Sequence, residues 1–235
     1  MRSPRVVSLV PSTTETLLDW GVVPAGVTRW CEHPELPQVG GTKDPDIAAI
    51  VATRPDLVVV DREENRREDA EALIAAGIEV HALWIRSVAD VGPQLAALAA
   101  RLGCGPRWRS PDLPEPAAPR RRVFVPIWRE SPREGQAVRL TTLNDDTYGA
   151  SMLTAAGAAN AFGTEPDRYP QTSVGEAAAR TPELVLAPSE PYRFTARHVP
   201  ELSQIAEVRL VDGRDLFWWG TRTSAALRRL VEVLS

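Results

Sequence analysis

The sequence predicts an α/β protein built from two similar lobes, each with a mostly parallel β-sheet. Short apolar segments alternate with helix-like segments along most of the 235 residues, which is typical of parallel strands covered by helices. Five prolines between residues 103 and 119 interrupt this alternation, because each removes a backbone donor that a helix needs. We therefore expect an N-terminal lobe over residues 1–103, a Pro-rich linker that crosses once between the lobes over 104–119, and a C-terminal lobe over 120–235.

The first lobe is predicted to hold four strands and four helices. Apolar runs indicate the strands, and amphipathic segments that end near glycine or proline indicate the helices. The expected strands are Arg5–Val10, Gly26–Trp30, Leu57–Val60 and Ile78–Trp84, and the expected helices are Ser12–Trp20, Ile47–Thr53, Asp61–Ala76 and Ser87–Leu102. Ser12 and Glu15 fit a capping box, in which each side chain binds an unpaired backbone N–H group at the start of the helix.

The second lobe repeats this plan. Its expected strands are Val123–Trp128, Leu184–Ala187 and Val208–Val211, and its expected helices are Tyr148–Ala156, Gly175–Arg180 and Thr223–Leu234. The sequence ATRPDLVV at residues 52–59 is matched by ARTPELVL at residues 179–186. This internal echo indicates that the two halves have similar folds, with an additional polar loop over Arg129–Thr142 in the second half.

Composition and charge indicate a globular protein and argue against a protein that binds nucleic acid or inserts into a membrane. A chain with 43% hydrophobic and 25% charged residues has the balance of a globular domain. The net charge is −4 and no dense basic stripe is present, which argues against nucleic acid as a partner. No segment approaches the roughly 20 apolar residues of a membrane span, so membrane insertion is not expected. The N-terminal residues lack the apolar core of a secretory signal, which predicts a cytoplasmic location.

A ligand site is expected where the strands end. Open parallel sheets bind ligands beyond the carboxyl ends of their strands, and two such lobes face to face would line one cleft. Five of the seven tryptophans follow predicted strands, and indole rings beside arginines suit a flat, partly anionic ligand. The candidates from these positions are Ser12, Thr13, Trp30, His33, Arg62, Trp84, Trp128, Arg129, Trp218 and Trp219. The alternative for each tryptophan is a place in the core.

Four residues near these strand ends allow specific chemistry. Ser12 and Thr13 stand at a predicted helix N-terminus, where backbone N–H groups favour a carboxylate or phosphate, although a plain helix cap explains them equally well. His33 and, less strongly, Cys31 are candidate axial ligands to the metal of a chelate, because imidazole and thiolate both bind iron and cobalt. The alternative is a buried structural cysteine beside a surface histidine. No nucleophile–base pattern suggests catalysis.

Several motifs resemble those of one family, the substrate-binding proteins of ABC transporters for cobalamin and iron chelates. The similar segments are VVSLVPSTTE at 6–15, GVT at 26–28, CEHP at 31–34, IVATRPDLV at 50–58, AGAANAF at 156–162 and YPQTS at 169–173. The resemblance implies two Rossmann-like lobes that hold a corrinoid, haem or ferric siderophore, with no catalysis and no catalytic cofactor. It also implies that Tyr148 and Tyr169 are ligand-binding aromatic residues.

The chain departs from this family at three features. The family has a long helix between its lobes and is exported, whereas this chain has a Pro-rich linker and shows no signal peptide. The family docks to its permease through one glutamate on each lobe. Ala48 stands at the first of these positions, and only Gly175-Glu176 comes near the second. Permease docking is therefore doubtful, and we expect a cytoplasmic carrier or sensor of a metal chelate.

Three alternatives remain open at this stage. One is a tetrapyrrole metal chelatase that would pair His33 with Glu32 or Glu190. Another is an exported solute-binding protein whose signal peptide is missing from this chain. The third is an interaction module whose cleft holds no ligand.

Overall fold

The computed structural model describes residues 4–105, 108, 121–130 and 138–235. Contacts between these residues divide them into two units. The first unit takes the described residues of 1–85, 89–110 and 219–222, and the second takes those of 86–88, 111–218 and 223–235. The short segment 219–222 thus groups with the N-terminal half of the chain, which the predicted domain bounds do not anticipate. Most of the predicted linker 104–119 lies outside the described residues.

The first unit contains a four-stranded parallel sheet with helices between its strands. Its strands are β1 (Val6–Ser8), β2 (Gly26–Val27), β3 (Leu57–Asp61) and β4 (Val80–Leu83), and the helices of this half of the chain are α1 (Pro11–Asp19), α2 (Ile47–Ala52), α3 (Arg67–Ala75) and α4 (Val88–Leu102). The strand order is β2-β1-β3-β4. β1 and β3 are buried along their whole length, as central strands of a sheet covered on both faces should be.

The predicted capping box at the start of α1 is wrong. The helix begins at Pro11, one residue earlier than expected, and Val10 occupies the N-cap without a side-chain hydrogen bond. Proline suits the first helical position because its fixed φ is helical and its missing N–H group would have no partner there. This places Ser12 inside the first turn, where its hydroxyl does not cap the helix.

The second unit contains two sheets. Its strands are β5 (Arg121–Phe124), β6 (Trp128–Arg129), β7 (Arg139–Thr141), β8 (Ala158–Asn160), β9 (Gln171–Ser173), β10 (Leu184–Pro188) and β11 (Glu207–Val211), and its helices are α5 (Tyr148–Ala155), α6 (Val174–Ala179), α7 (Val199–Leu202), α8 (Arg214–Phe217) and α9 (Thr223–Leu234). The parallel sheet has the order β11-β10-β5-β8. The predicted strand Val123–Trp128 is wrong in extent, because β5 ends at Phe124 and Trp128 lies in a separate antiparallel sheet of β6, β7 and β9.

The internal echo corresponds to a repeated structure. Arg54 and Thr181, each before the proline of its repeat, both adopt the left-handed conformation, with φ of 48° and 50°. The acidic residue after each proline then binds the start of a strand. An Asp56 carboxylate oxygen accepts a hydrogen bond from the Arg5 backbone N–H at 2.6 Å, and Glu183 accepts one from the Arg122 N–H at 3.0 Å. Both repeats therefore tie the helix–strand turn to the neighbouring central strand in the same way.

Each unit has its own hydrophobic core. In the first unit, Val7, Leu9, Val39, Ile50, Val58, Val60 and Leu73 pack together. In the second, the cluster comprises Phe124, Leu140, Ala161, Phe162, Ala177, Val185, Ala187, Phe194, Leu202 and Ile205. Within the described residues, no helix combines the length and the apolar character that crossing a bilayer requires.

Two neighbouring residues of α3 test this assignment of the first core. Leu73 is fully buried, whereas Ile74 is 58% exposed. We expect Leu73→Ala to lower the free energy of unfolding by about 3 kcal/mol, because the substitution removes buried methyl groups and leaves a cavity. Ile74→Ala is the matched control and should change stability by less than about 0.5 kcal/mol. Urea unfolding of the two variants would contradict the assignment if their midpoints shifted equally.

Candidate functional site

Buried hydroxyl and thiol groups organise the carboxyl ends of β1 and β2. The Thr14 hydroxyl lies 2.9 Å from the Ser8 hydroxyl and 3.1 Å from the Val10 carbonyl oxygen. The Cys31 thiol donates to the Thr14 hydroxyl at 3.3 Å and lies 3.5 Å from the Thr28 hydroxyl. This network holds the loop after β2 against the start of α1. The Cys31 thiol is part of the network and has a structural role there.

The turn after β3 is fastened by a buried aspartate and a buried asparagine. Asp61 Oδ1 accepts hydrogen bonds from the backbone N–H groups of Glu63 at 2.8 Å and Glu64 at 3.3 Å. The Asn65 side-chain amide donates to the carbonyl oxygens of Leu9 at 3.1 Å and Thr42 at 2.9 Å. The predicted helix Asp61–Ala76 is therefore too long, since Asp61 ends β3, the next five residues form this turn, and α3 begins only at Arg67.

Burial changes the ionisation of Asp61. Desolvation raises the pKa of this carboxyl group to about 6, and the hydrogen bonds from Glu63 and Glu64 oppose that rise only in part. The negative charge of Glu63 raises the pKa further, whereas Lys43 lowers it. The folded state therefore retains a proton on Asp61 at pH values where an exposed aspartate has lost it.

Two predicted tryptophans of the first unit are exposed, and each has an arginine over its ring. Trp30 is 61% exposed, and the Arg29 guanidinium carbon lies 5.6 Å from the ring centroid. Trp84 is 38% exposed, with the Arg62 guanidinium carbon at 5.3 Å. A cation over an indole face is an attractive contact, so each arginine holds its ring in place while part of the ring stays open to a ligand.

The remaining candidates of the first unit lie in different surroundings. His33 is half-buried, and its Nδ1 lies 2.9 Å from a Glu35 carboxylate oxygen. Ser12 and Thr13 are buried, and their hydroxyl oxygens have no hydrogen-bond partner among the described residues. Within the same part of the chain, no group of three or more His, Cys, Asp and Glu residues could hold a metal ion. Axial ligation of a chelated metal by His33 or Cys31 stays a prediction.

In the second unit, Trp128 stands on a cluster of aromatic rings. It is 49% exposed and packs edge-on against Tyr192, with the ring centroids 5.7 Å apart. Tyr192 in turn packs against Phe194 at 4.8 Å and His198 at 5.6 Å. The cluster follows β10, and its Tyr192 packs against one side of Trp128. This contact gives the exposed indole a defined orientation.

Charged groups surround this aromatic cluster. Arg129 donates two hydrogen bonds to the Glu201 carboxylate, at 2.9 Å from Nε and 2.8 Å from Nη2. The Glu201 partner raises the pKa of Arg129 above its ordinary value. Burial, together with the Arg197 and Arg129 guanidiniums, lowers the pKa of His198. The predicted ligand residue Arg129 is thus held by a carboxylate of its own unit.

Tyr169 is the other exposed aromatic residue of the second unit. It is 44% exposed, and the Arg168 guanidinium carbon lies 5.6 Å from its ring centroid. Arg168 Nε donates to the Asp146 carbonyl oxygen at 2.9 Å, and Arg86 donates to the Asp146 carboxylate at 2.8 Å. Asp146 therefore fixes the arginine that covers one part of the tyrosine ring.

Three predicted aromatic ligand residues are less accessible. Tyr148 and Trp219 are buried, at 5% and 3% exposure, and Trp218 is half-buried, with the Arg214 guanidinium carbon 6.0 Å from its ring. The Tyr148 hydroxyl lies 2.9 Å from that of Thr223. Little of Tyr148 and Trp219 is open to a ligand in this conformation, and their place in a binding site stays a prediction.

The supporting residues were not identified from the sequence. Asn65, Asp146, Tyr192 and Glu201 carry no motif, and each acts through contacts with residues distant in the chain. The available signal for Tyr192 was its position just after a predicted strand, which is the same signal that identified Trp30, Trp84 and Trp128.

The buried Asp61 carboxyl group generates a pH-dependent prediction. Because its folded pKa of about 6 exceeds the ordinary value of 3.8, native Asp61 binds a proton that the unfolded chain releases, so its contribution to stability is lost as the pH rises from about 4 to 6. Asp61→Asn should therefore be more stable relative to the parent at pH 7 than at pH 4, by up to about 3 kcal/mol. The free energies of unfolding of both proteins are measured at the two pH values. An equal difference between variant and parent at pH 4 and pH 7 would contradict the prediction. Glu71→Gln, at an exposed site, is the control.

The chain is similar to known proteins in both sequence and structure. The model of the periplasmic binding protein family matches residues 6–107. The vitamin B12-binding protein of Salmonella typhimurium is 28% identical over 199 residues, covering 78% of this chain and 72% of that protein. The protein of the same name from Pectobacterium carotovorum is 25% identical over 210 residues, covering 82% and 74%.

Solved structures show the same fold. The periplasmic vitamin B12 binding protein BtuF of Vibrio cholerae has a TM-score of 0.77 at 19% identity, covering 99% of this chain and 96% of that one. The periplasmic haem-binding protein BhuT, in complex with two haems, has a TM-score of 0.76 at 22% identity, with 100% of both chains covered. The resemblance predicted from the sequence motifs is confirmed: this chain is similar in sequence to vitamin B12-binding proteins and shares the fold of periplasmic vitamin B12- and haem-binding proteins.

Proposed function

We propose that this protein binds a metal chelate with a flat ring system and does not transform it. The observation that carries the proposal is the exposure of four large aromatic rings: Trp30, Trp84 and Trp128 lie beyond the ends of β2, β4 and β5, and Tyr169 lies just before β9. Large aromatic side chains normally bury most of their surface, so the rings left exposed in each unit indicate surfaces that bind a ligand. Flat rings offer a large apolar contact to a corrinoid or a porphyrin.

The comparisons support a chelate as the ligand. The relative from Salmonella typhimurium is named a vitamin B12-binding protein, and BhuT was solved in complex with two haems. A corrinoid and a haem are both planar metal chelates of a size that several aromatic rings can contact. A ferric siderophore is the third candidate, which follows from the family resemblance of the sequence.

The chelatase alternative gains no support from the site. That reaction would require His33 to act with Glu32 or Glu190, whereas His33 contacts Glu35 at 2.9 Å. The relatives are binding proteins. Binding of a chelate without a chemical reaction is therefore consistent both with the relatives and with the exposed aromatic rings.

We further propose that the chain acts as a carrier or sensor without a permease. The resemblance places docking glutamates at Ala48 and near Gly175-Glu176. The repeat that aligns Pro55 with Pro182 also aligns Ala48 with Gly175, so both equivalent positions carry small residues. Glu176 is engaged in a capping box, with its carboxylate accepting from the Ser173 N–H at 2.7 Å. The cytoplasmic location expected from the sequence stays a prediction, and the relatives with solved structures are periplasmic proteins.

Chelate binding is tested by titrating the purified chain with haem, cyanocobalamin and a ferric siderophore. Tight quenching of tryptophan fluorescence by at least one chelate is expected. Trp84→Ala and Trp128→Ala should each weaken binding by about 2 kcal/mol, or roughly thirtyfold, because each removes an aromatic anchor. Leu210→Ala is the matched control, since Leu210 and Trp128 are equally exposed at 49%. Unchanged affinity in both tryptophan variants, or no response to any chelate, would contradict the proposal.

Permease independence is tested with a reconstituted ABC permease for vitamin B12. The parent chain should leave its ATPase rate unchanged. A double variant, Ala48→Glu with Gly175→Glu, should raise that rate if glutamates at these two positions suffice for docking. A Cβ atom added at Gly175 meets no atom within 4 Å. Stimulation by the parent chain would contradict the proposal. The single variants Ala48→Glu and Gly175→Glu are the controls, and they show whether stimulation of the ATPase requires both glutamates.

A further inference from the structure

Arg62 is positioned beside Trp84 by the register of two strands. Asp61 of β3 pairs with Leu83 of β4, so the residues that follow them emerge side by side. The Arg62 backbone N–H donates to the Leu83 carbonyl oxygen at 3.0 Å and continues the pairing by one residue. The guanidinium carbon then lies 5.3 Å from the indole centroid. The location of Arg62 next to an exposed ring is therefore fixed by the sheet.

Arg62 differs from the other arginines that cover exposed rings in its ion pairing. Arg29 over Trp30 forms an ion pair with Asp44, and Arg168 over Tyr169 lies 3.4 Å from an Asp146 carboxylate oxygen. Within the described residues, no carboxylate forms an ion pair with the exposed Arg62 side chain. Arg62 thus presents an exposed cation beside the Trp84 ring.

We infer that the ligand is a planar macrocycle that carries carboxylate groups, and that Arg62 selects for them. The inference rests on the proposed function and specifies the ligand class of the same site. A guanidinium can donate two parallel hydrogen bonds to one carboxylate, and an indole beside it accepts the adjoining ring face. A macrocycle whose side chains are neutral amides would leave this cation without a partner. The arrangement therefore favours a porphyrin-type chelate, whose carboxylates lie at the edge of the ring, over a corrinoid, whose ring-edge amides are neutral and whose one phosphodiester lies on its nucleotide loop.

The test compares ligands that differ in their carboxylates. The full chain is titrated with haem, with haem dimethyl ester, with cyanocobalamin and with ferric citrate, following tryptophan fluorescence. Haem should bind at least about tenfold more tightly than its ester, because the ester has lost the charges that Arg62 would pair with. Ferric citrate should bind weakly, because it offers carboxylates but no ring. The affinity for haem should fall with added salt and that for the ester should not.

Variants assign the preference to Arg62. Arg62→Gln should weaken haem binding about tenfold and leave ester binding within about twofold, and Arg62→Lys should fall between Arg62→Gln and the parent, because it keeps the charge but loses the paired donors. Arg67→Gln, at a 91% exposed side chain on α3, is the control. Unfolding midpoints of all variants establish that the fold is retained.

The outcomes separate the inference from the proposed function. Equal affinity for haem and its ester, tighter binding of cyanocobalamin or of ferric citrate than of haem, or equal losses for haem and ester in Arg62→Gln would each overturn the inference while chelate binding stood. Failure of all four compounds to bind would overturn both. Tighter haem binding that depends on Arg62 supports both.

Discussion

Parallel strand pairing decides where this protein can present functional side chains. In each unit four strands run in one direction, so the loops that follow them emerge at one edge of the sheet. The pairing of Asp61 with Leu83 brings Arg62 beside Trp84. A slip of one residue in this register would turn the side chains to the opposite face and separate the pair. The position of Arg62 beside the exposed Trp84 ring is therefore a consequence of the register of β3 against β4.

Exposed aromatic rings also need support, because an unsupported indole would fold back onto nearby apolar surface. The two units supply that support differently. In the first, the turn that contains Arg62 is held by hydrogen bonds of two buried residues, Asp61 and Asn65. In the second, Trp128 rests on Tyr192, and the Arg129–Glu201 ion pair stands beside it. The contacts of Trp84 with Arg62 and of Trp128 with Tyr192 restrict these exposed rings before any ligand arrives, so less conformational entropy is lost on binding.

Structural elements that are determined by the local sequence could be predicted. Those that depend on contacts between residues distant in the chain could not. The helix Thr223–Leu234 was predicted with its observed bounds, because its apolar residues repeat with helical spacing up to the end. The antiparallel sheet was missed, because β6, β7 and β9 have only two or three residues each and pair across long stretches of chain. At the site, the rule about strand ends identified the exposed tryptophans. It could not foresee that Trp219 and Tyr148 would be buried, since hydrophobicity alone does not distinguish a core ring from an exposed one.

The internal repeat shows which parts of the fold are constrained. Both copies keep a helix, a left-handed residue before proline, and an acidic side chain bound to the backbone of a central strand. These features lie at the amino ends of the strands, where they fasten the helix–strand turn. The carboxyl ends differ, with Arg62 and Trp84 in one unit and Trp128 and Tyr192 in the other. Because the turns at the amino ends already fix each sheet, the loops at the carboxyl ends can change their side chains without loss of the fold, and binding specificity can change there independently of stability.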